Sequence, residues 1–143
     1  MKIIIAKTSG FCMGVRRAVE MVLADLAKRG QCLKSGLGEI LSDADIPHQL
    51  TGHPNMQGFL VTSKEIRDVR GLVDHDDAIY DAIMSHMYEN GVWPEPDARE
   101  PWFLCAAHDD SLIDETLNRF QDAVKAVKRA YVSSQATPKG NLG

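Results

Sequence analysis

The sequence predicts an α+β fold in which an N-terminal β-α unit precedes a small α-β-β-α-β-α layer with a mostly antiparallel sheet. Three observations support this prediction. Apolar residues recur every three or four positions in four segments, which is typical of amphipathic helices. Three short apolar segments lie between these helices, and two of them are separated only by a turn-forming tetrad. The 143 residues are 44% hydrophobic and 25% charged, as in an ordinary soluble domain.

The N-terminal unit is predicted over residues 1–30. Residues 2–6 form an isoleucine-rich run, which indicates a short buried strand. A helix is expected after the break at residues 8–10, and Gly30 is its predicted stop. Cys12 lies in the loop before this helix. The apolar stripe of the helix, with spacings of four, three and four, consists of Val15, Val19, Val22 and Leu26.

The second unit is predicted over residues 31–132 and begins with a helix at residues 33–44. Gly36 and Gly38 weaken that helix by about 1 kcal/mol each relative to alanine. Residues 48–51 and 56–62 then read as two strands joined by the turn-rich tetrad Gly52-His53-Pro54-Asn55.

A third helix is predicted from residue 74 to 90, where Asn90-Gly91 ends it. Residues 93–101 contain three prolines and cannot be regular structure, whereas residues 102–107 read as a buried strand. The last helix begins at the capping residues 109–111. Its apolar stripe consists of Ile113, Leu117, Phe120, Val124, Val127 and Tyr131. Residues 133–143 are predicted to form a disordered tail.

Composition excludes several classes of function. The net charge is −4 and no basic stripe with interleaved aromatic residues is present, so nucleic acid is not an expected partner. The longest apolar runs have four or five residues, too few to span a membrane. Lys7 interrupts the first apolar run, so no signal peptide is predicted. Three cysteines without an export signal favour reduced thiols and a cytoplasmic location.

The first 22 residues, MKIIIAKTSGFCMGVRRAVEMV, resemble the N-terminus of 4-hydroxy-3-methylbut-2-enyl diphosphate reductase, an iron–sulfur enzyme of isoprenoid biosynthesis. The resemblance implies that Cys12 is one of three thiolate ligands of a [4Fe-4S] cluster. The motifs that supply the other ligands and hold the diphosphate in that family are absent, and neither Cys32 nor Cys105 lies in matching context. The alternative, which we favour, is that Cys12 is a packed free cysteine.

Residues 27–129 resemble the C-terminal small domain of class III pyridoxal-phosphate-dependent aminotransferases, most closely the glutamate-1-semialdehyde aminomutase branch. The matching segments are LKSGLGEILSDADIPHQLTGHPNMQGF, the helix that ends in NGV, and EPDAREPWFLCAAHDDSLIDETLNRF. The resemblance implies the same small α+β layer. The boundary between the two resemblances lies between Val22 and Lys28. A natural fusion, a remnant and a deliberate joining of two genes are all compatible with it.

The second resemblance also implies what the chain lacks. In the parent family a lysine of the large domain binds pyridoxal phosphate as a Schiff base, and no lysine here stands in that motif. We therefore expect that the isolated chain binds no pyridoxal phosphate and is inactive. Cutting the small domain from its large domain should bare apolar surface, so the expected partners are a second copy or an aminotransferase large domain.

Arg99 and Glu100, in the loop before the last strand, are the candidate substrate-binding residues. The alternative, which we favour, is that they fix the proline-rich loop by ion pairing. The five histidines show no metal-binding spacing, although His48 and His53 flank the predicted hairpin and could approach each other. Three functions thus stay open: an aminotransferase or aminomutase fragment, an iron–sulfur reductase fragment, and a non-catalytic structural or assembly module.

Overall fold

A computed structural model of the protein describes residues 13–136, which form helices and one small sheet. The predicted strand at residues 2–6, Cys12 and residues 137–143 lie outside the described residues. Three antiparallel strands in the order β1-β2-β3 make up the sheet, which confirms the α+β class. The elements are α1 (Met13–Asp43), β1 (His48–His53), β2 (Met56–Val61), a 3₁₀ helix (Val69–Asp74), α2 (Asp77–Glu89), β3 (Trp102–Phe103) and α3 (Asp110–Ala136).

α1 is one continuous helix of 31 residues, so the predicted stop at Gly30 and the separate helix at residues 33–44 are wrong. Gly30 is buried against the β1–β2 turn, where a Cβ atom would overlap the carbonyl oxygen of Pro54. The glycine therefore allows a close approach between helix and turn rather than ending the helix. The helix ends instead at Asp43, and the backbone N–H of Ile46 closes the end by donating to the carbonyl of Leu41 at 2.9 Å.

β1 and β2 form the predicted hairpin, in register from His48 opposite Val61 to His53 opposite Met56. Gly52 has a φ of 71°, a left-handed conformation that favours glycine, and it lies one residue before the end of β1. The turn itself is the pair Pro54 and Asn55, narrower than the predicted tetrad. β1 extends two residues past its predicted end, to His53, and β2 ends one residue before its predicted end, at Val61.

β3 is shorter than predicted, because only Trp102 and Phe103 pair with β2. The backbone N–H of Leu104 still donates to the carbonyl of Asn55, at 3.1 Å. The chain then turns, and the N–H of His108 donates to the carbonyl of Cys105 at 3.0 Å. This turn leads directly into α3, so residues 104–107 cannot continue the strand.

α2 begins at Asp77 rather than residue 74, because the carboxylate of Asp76 caps it by accepting from the N–H of Ile79 at 3.1 Å. The residues just before form the 3₁₀ helix, which the sequence did not predict. α3 continues to Ala136, so the first four residues of the predicted tail are helical.

The helices cover one face of the sheet. Phe59 of β2 lies at the centre of the core, with its ring centroid 5.1 Å from Tyr80, 6.0 Å from Trp102 and 5.5 Å from Phe120. Aromatic pairs at these separations and tilted geometries are favourable beyond their buried area. The other core residues are contributed mainly by α1, α2 and α3, and include Leu33, Leu37, Leu41, Ile83, Met87, Ile113 and Val124.

Two ion pairs join α3 to α1 and to the loop that follows α1. Arg29 lies 2.7 Å from Asp110, and Asp45 lies 3.0 Å from Lys128. The C-terminal half of α1 and α3 therefore run in the same direction, and the N-terminal half of α1 projects beyond the start of α3. Of the helices in the described part of the chain, none is both long and apolar enough to cross a bilayer.

Candidate functional site

The predicted site residues lie in the proline-rich segment between α2 and β3, which two tyrosines of α2 hold in place. The hydroxyl of Tyr80 donates to the carbonyl of Glu95 at 2.9 Å, and that of Tyr88 donates to the carbonyl of Pro94 at 3.1 Å. Burial raises the pKa of Tyr80 to about 12, so this hydroxyl keeps its proton at neutral pH. The segment is irregular, as predicted, but it is anchored at both tyrosines.

Arg99 is bound to Asp97 within the same loop. Its Nε lies 2.7 Å from Oδ1 and 2.9 Å from Oδ2 of Asp97, and its Nη2 also contacts that carboxylate. The backbone N–H groups of Arg99 and Glu100 donate to Asp97 as well, each at 2.9 Å. These bonds from Arg99 lower the pKa of Asp97 to about 2. Asp97 is thus the acceptor that these hydrogen bonds of the loop share. It was not among the predicted site residues.

The carboxylate of Glu100 differs from the guanidinium of Arg99 in its contacts. It makes no hydrogen bond or ion pair with any side chain in the described part of the chain. Glu100 and Arg99 both line an open cleft of about 600 Å³ on the sheet face opposite the helices. Leu60 and Thr51 form part of the floor of this cleft. The structure therefore brings the two predicted residues to one cleft. The guanidinium of Arg99 is bound to Asp97, and the carboxylate of Glu100 interacts with that guanidinium through its charge.

A second cavity of about 560 Å³ adjoins this cleft and shares Asp97 and Arg99 with it. Its wall includes His75, whose side chain is 4% exposed. The Nδ1 atom of His75 accepts from the N–H of Val61 at 3.0 Å, whereas its Nε2 atom has no hydrogen-bond partner and lies 3.8 Å from Asp77. The spacing of the histidines in the sequence carried no signal of this placement.

The histidines do not form a metal site within the described residues. His48 and His53 lie at opposite ends of β1, about 16 Å apart at about 3.3 Å per residue, so the approach that the sequence left open does not occur. The residues from 13 to 136 contain no group of three His, Cys, Asp or Glu side chains placed to hold a metal ion. A [4Fe-4S] cluster does not fit the described residues alone, since Cys32 and Cys105 are both exposed free thiols and Cys12 lies outside them.

The described lysines do not fit pyridoxal phosphate. Lys34 donates to the carbonyl of Gly52 at 2.6 Å, and Lys64 and Lys128 pair with Asp74 and Asp45. No described lysine lines the cleft of Arg99 and Glu100 or the cavity of His75. A Schiff base needs a lysine amine inside the cofactor pocket, and neither of these two cavities offers one.

Comparison with known proteins gives two matches, which overlap along the chain. A family model described as LytB protein matches residues 3–67. This match is consistent with the resemblance of residues 1–22 to the reductase, and it extends well past them, through α1, β1 and β2 to Arg67.

The second match covers more of the chain. The glutamate-1-semialdehyde 2,1-aminomutase of Methanothermobacter thermautotrophicus is 30% identical over 105 residues, which are 73% of this chain and 25% of that protein. Most of the chain is similar to one quarter of an aminomutase. The same enzyme from Persephonella marina is 33% identical over 101 residues, 71% of this chain and 24% of that protein. The chain thus spans about a quarter of the length of the curated relatives it matches.

Solved structures agree with the aminomutase match. The FumI protein of Sphingopyxis sp. MTA144, in its PLP internal aldimine form, is 25% identical, with a TM-score of 0.62 over 78% of this chain and 24% of that one. An omega-transaminase from Sphaerobacter thermophilus shares the fold, with a TM-score of 0.65 over 79% of this chain and 26% of that one, at 17% identity. Most of the chain is therefore similar, in sequence or in fold, to about a quarter of proteins that include an aminomutase and an omega-transaminase.

Proposed function

We propose that the chain is a small-domain fragment of the class III pyridoxal-phosphate-dependent aminotransferases, closest to the glutamate-1-semialdehyde aminomutase branch. The observation that carries this proposal is the similarity of 105 residues to a quarter of an aminomutase. The fragment lacks the lysine that would bind the cofactor, so it transfers no amino group by itself. It acts as a binding or assembly module.

In this proposal Arg99 and Glu100 contact the substrate only when a large domain completes the cleft. The cleft of about 600 Å³ is open in the described chain, and Glu100 lines it without a hydrogen bond to its carboxylate among the described residues. The parent chemistry is the movement of an amino group on a small amino acid or semialdehyde. Arg99 is bound to Asp97, so its first role is to keep the loop in shape for that contact.

The partner of this module is an aminotransferase large domain or a second copy of the chain. The support is apolar surface: Trp93 is 81% exposed and Phe103 is 65% exposed. Phe103 lies opposite Met56 in the sheet, so Met56, Trp93 and Phe103 present large apolar groups from neighbouring parts of the fold. Apolar patches of a few hundred Å² on a small domain tend to mark interaction sites.

A second candidate function is favoured by the family-model match to residues 3–67. It is a fragment of the iron–sulfur enzyme 4-hydroxy-3-methylbut-2-enyl diphosphate reductase, with Cys12 as one cluster ligand. This fragment would be catalytic only if partner chains supplied the remaining ligands, since [4Fe-4S] clusters are held by several thiolates.

One experiment separates the two candidates from each other. The purified chain is incubated with pyridoxal phosphate, reduced with borohydride and analysed by mass spectrometry, with the FumI protein as the positive control for an internal aldimine. We expect no single lysine to be labelled stoichiometrically and no amino transfer from the chain alone. Stoichiometric labelling of one lysine would contradict the proposed lack of a cofactor lysine.

The second arm adds ferrous iron and sulfide to the reduced chain under anaerobic conditions. We expect no stable brown chromophore. If a chromophore forms and the Cys12→Ser variant loses it, the iron–sulfur candidate replaces the first one.

A further inference from the structure

Cys105 and His108 are held together by the turn between β3 and α3. The backbone N–H of His108 donates to the carbonyl of Cys105 at 3.0 Å, and the backbone N–H of Cys105 donates to Nδ1 of His108 at 3.0 Å. The same Nδ1 atom lies 3.3 Å from the Sγ atom of Cys105. The turn therefore places a nucleophile and a base within hydrogen-bond reach of each other.

The hydrogen bonds define where the proton of the imidazole lies. Because the N–H of Cys105 donates to Nδ1, this atom carries a lone pair and the neutral ring holds its proton on Nε2. The thiol faces the same lone pair at the 3.3 Å contact, so the thiol and the backbone N–H compete for it, and a proton transfer requires the N–H of Cys105 to release Nδ1. After a proton transfer, the new Nδ1–H would face the carbonyl oxygen of Cys105, 3.3 Å away. The carbonyl oxygen of Cys105 thus offers the protonated imidazole an acceptor, whereas the N–H of Cys105 loses the acceptor that it had before the transfer.

The thiol is accessible, and a cavity with both polar and apolar lining residues lies beside its base. Cys105 is exposed, and His108 lines a cavity of about 290 Å³ together with Trp93, Phe103 and Leu104. The side chains of Trp93 and Phe103 offer the apolar part of a small organic molecule a contact surface in this cavity, on the side of the imidazole.

Cys32 provides an internal comparison. It is also an exposed free thiol, on α1, but no hydrogen bond to its sulfur is present among the described residues. The two thiols therefore differ in the base beside them and are alike in their exposure.

We propose that Cys105 and His108 form a reactive thiol–imidazole pair that is modified by α,β-unsaturated carbonyl compounds. Nδ1 of His108 takes the thiol proton, and the sulfur attacks the β-carbon of the compound. A carbon–sulfur bond forms while the electron pair of the C=C double bond moves to the enolate. The α-carbon then takes the proton back from Nδ1, so the addition needs no leaving group and no further reactant. This site is independent of the proposed function.

The test compares the rates of addition at the two thiols. In a Cys12→Ser background, the protein is treated with N-ethylmaleimide or N-phenylmaleimide at neutral pH, and the modified peptides are quantified over time by mass spectrometry. We expect Cys105 to react about tenfold faster than Cys32, because a positioned base assists it. The phenyl reagent should increase this ratio, since its ring can contact the side chains of Trp93 and Phe103 in the cavity.

The matched variant is His108→Asn. Asparagine Oδ1 can still accept the N–H of Cys105 and keep the turn, but it takes no proton at neutral pH. We expect the rate at Cys105 to fall to within about twofold of that at Cys32, as removal of a general base requires. Equal rates at the two thiols of the parent protein, or an unchanged rate at Cys105 in the variant, would overturn the proposal.

A second measurement guards against a variant that fails to fold. In the parent protein, unfolding by guanidinium chloride should bring the two rates together, since it breaks the contact between Sγ and Nδ1. A ratio that persists in the unfolded chain would show that local sequence, and not the folded turn, makes Cys105 reactive, and the proposal would fail.

Discussion

At the scale of single residues, Gly30 shows how one position can decide the packing of two elements. It lies within α1, and its missing side chain leaves room for the backbone of Pro54 and for the Oδ1 atom of Asn55, which a Cβ would approach to 2.8 Å. Backbone atoms of a tight hairpin cannot move aside as easily as a flexible side chain. The residue is therefore a contact surface between the helix and the hairpin.

The substitution Gly30→Ala tests this role. Alanine raises helix propensity by about 1 kcal/mol, but the overlap with Pro54 costs about 1–3 kcal/mol, so we expect a net loss in the free energy of unfolding. Chemical denaturation measures it. Gly14→Ala in the same helix is the control, because a Cβ there meets nothing within 4 Å. A Gly30→Ala protein as stable as the parent would contradict the close contact.

Asp97 gives a prediction on pH dependence. Its folded pKa of about 2 is lower than the ordinary value of 3.8, chiefly because of the hydrogen bonds from the side chain of Arg99. A depressed carboxyl pKa contributes stability that is complete above the unfolded pKa and is lost as the pH falls through the folded pKa. This contribution should therefore disappear between about pH 4 and pH 2.

The measurement is the denaturation midpoint as a function of pH for the parent and for Asp97→Asn. We expect the denaturation midpoint of the variant to fall less at acid pH than the midpoint of the parent protein. The same substitution at the exposed Asp114 of α3 serves as the control. In an Arg99→Gln variant, the pKa of Asp97, followed by carboxyl NMR, should rise toward its ordinary value. An unchanged titration there would show that Arg99 does not hold the carboxylate.

At the scale of elements, α1 has two halves with different environments. Leu33, Leu37 and Leu41 are buried in the core, whereas Met21, Val22 and Leu23 of the N-terminal half are exposed. The periodicity of apolar residues predicted helix in both halves, and that is confirmed. It could not show that only the second half has a helix and a sheet to pack against.

Paired leucine substitutions test this difference. Leu37→Ala should lower the free energy of unfolding by about 2–5 kcal/mol, because Leu37 is 0% exposed and its loss leaves a cavity. Leu23→Ala should change it by no more than about 0.5 kcal/mol, as is usual at exposed sites. Hydrogen exchange should show slow amides near Leu37 and faster ones near Leu23. Equal protection of the two halves would mean that the N-terminal half is also packed.

α2 fixes the loop of the candidate site through Tyr80. Tyr80→Phe removes the donor to the carbonyl of Glu95, so we expect a loss of about 1–2 kcal/mol in stability. Exchange of the amides in residues 93–101 should become faster. Tyr88→Phe, which removes the corresponding bond to Pro94, should have the smaller effect because Tyr88 is less buried. The opposite order would indicate that Tyr88 is the principal anchor.

At the scale of the whole molecule, the proposed assembly role predicts association through the patch of Met56, Trp93 and Phe103. A Trp93→Ser/Phe103→Ser double variant should sediment as a smaller species than the parent at the same concentration, since burial of these side chains drives association. Val73→Ser, at an exposed valine of the 3₁₀ helix, is the control. A parent protein that sediments as a monomer at all concentrations would argue against self-association and leave the large domain as the proposed partner.

The candidate site was predicted only in part. The position of Arg99 and Glu100 in an irregular loop before β3 follows from three prolines and the strand after them, and the structure agrees. The partner of Arg99 did not follow from the sequence, because any neighbouring carboxylate could have formed the ion pair. His75 was not predicted as a site residue, because its burial depends on contacts with Val61 and Tyr80. No sequence motif indicates either contact.

The sequence by itself determined the helical and strand character of this protein, because hydrophobic periodicity and turn residues act over a few neighbouring positions. Only the tertiary structure decided that α1 continues through Gly30, that β3 stops after Phe103, and that Cys105 meets His108. Each of these depends on contacts between segments or on a turn whose geometry the neighbouring elements impose. Local propensity determines which kind of element a segment can form. Packing determines where the element begins and ends and which side chains come into contact.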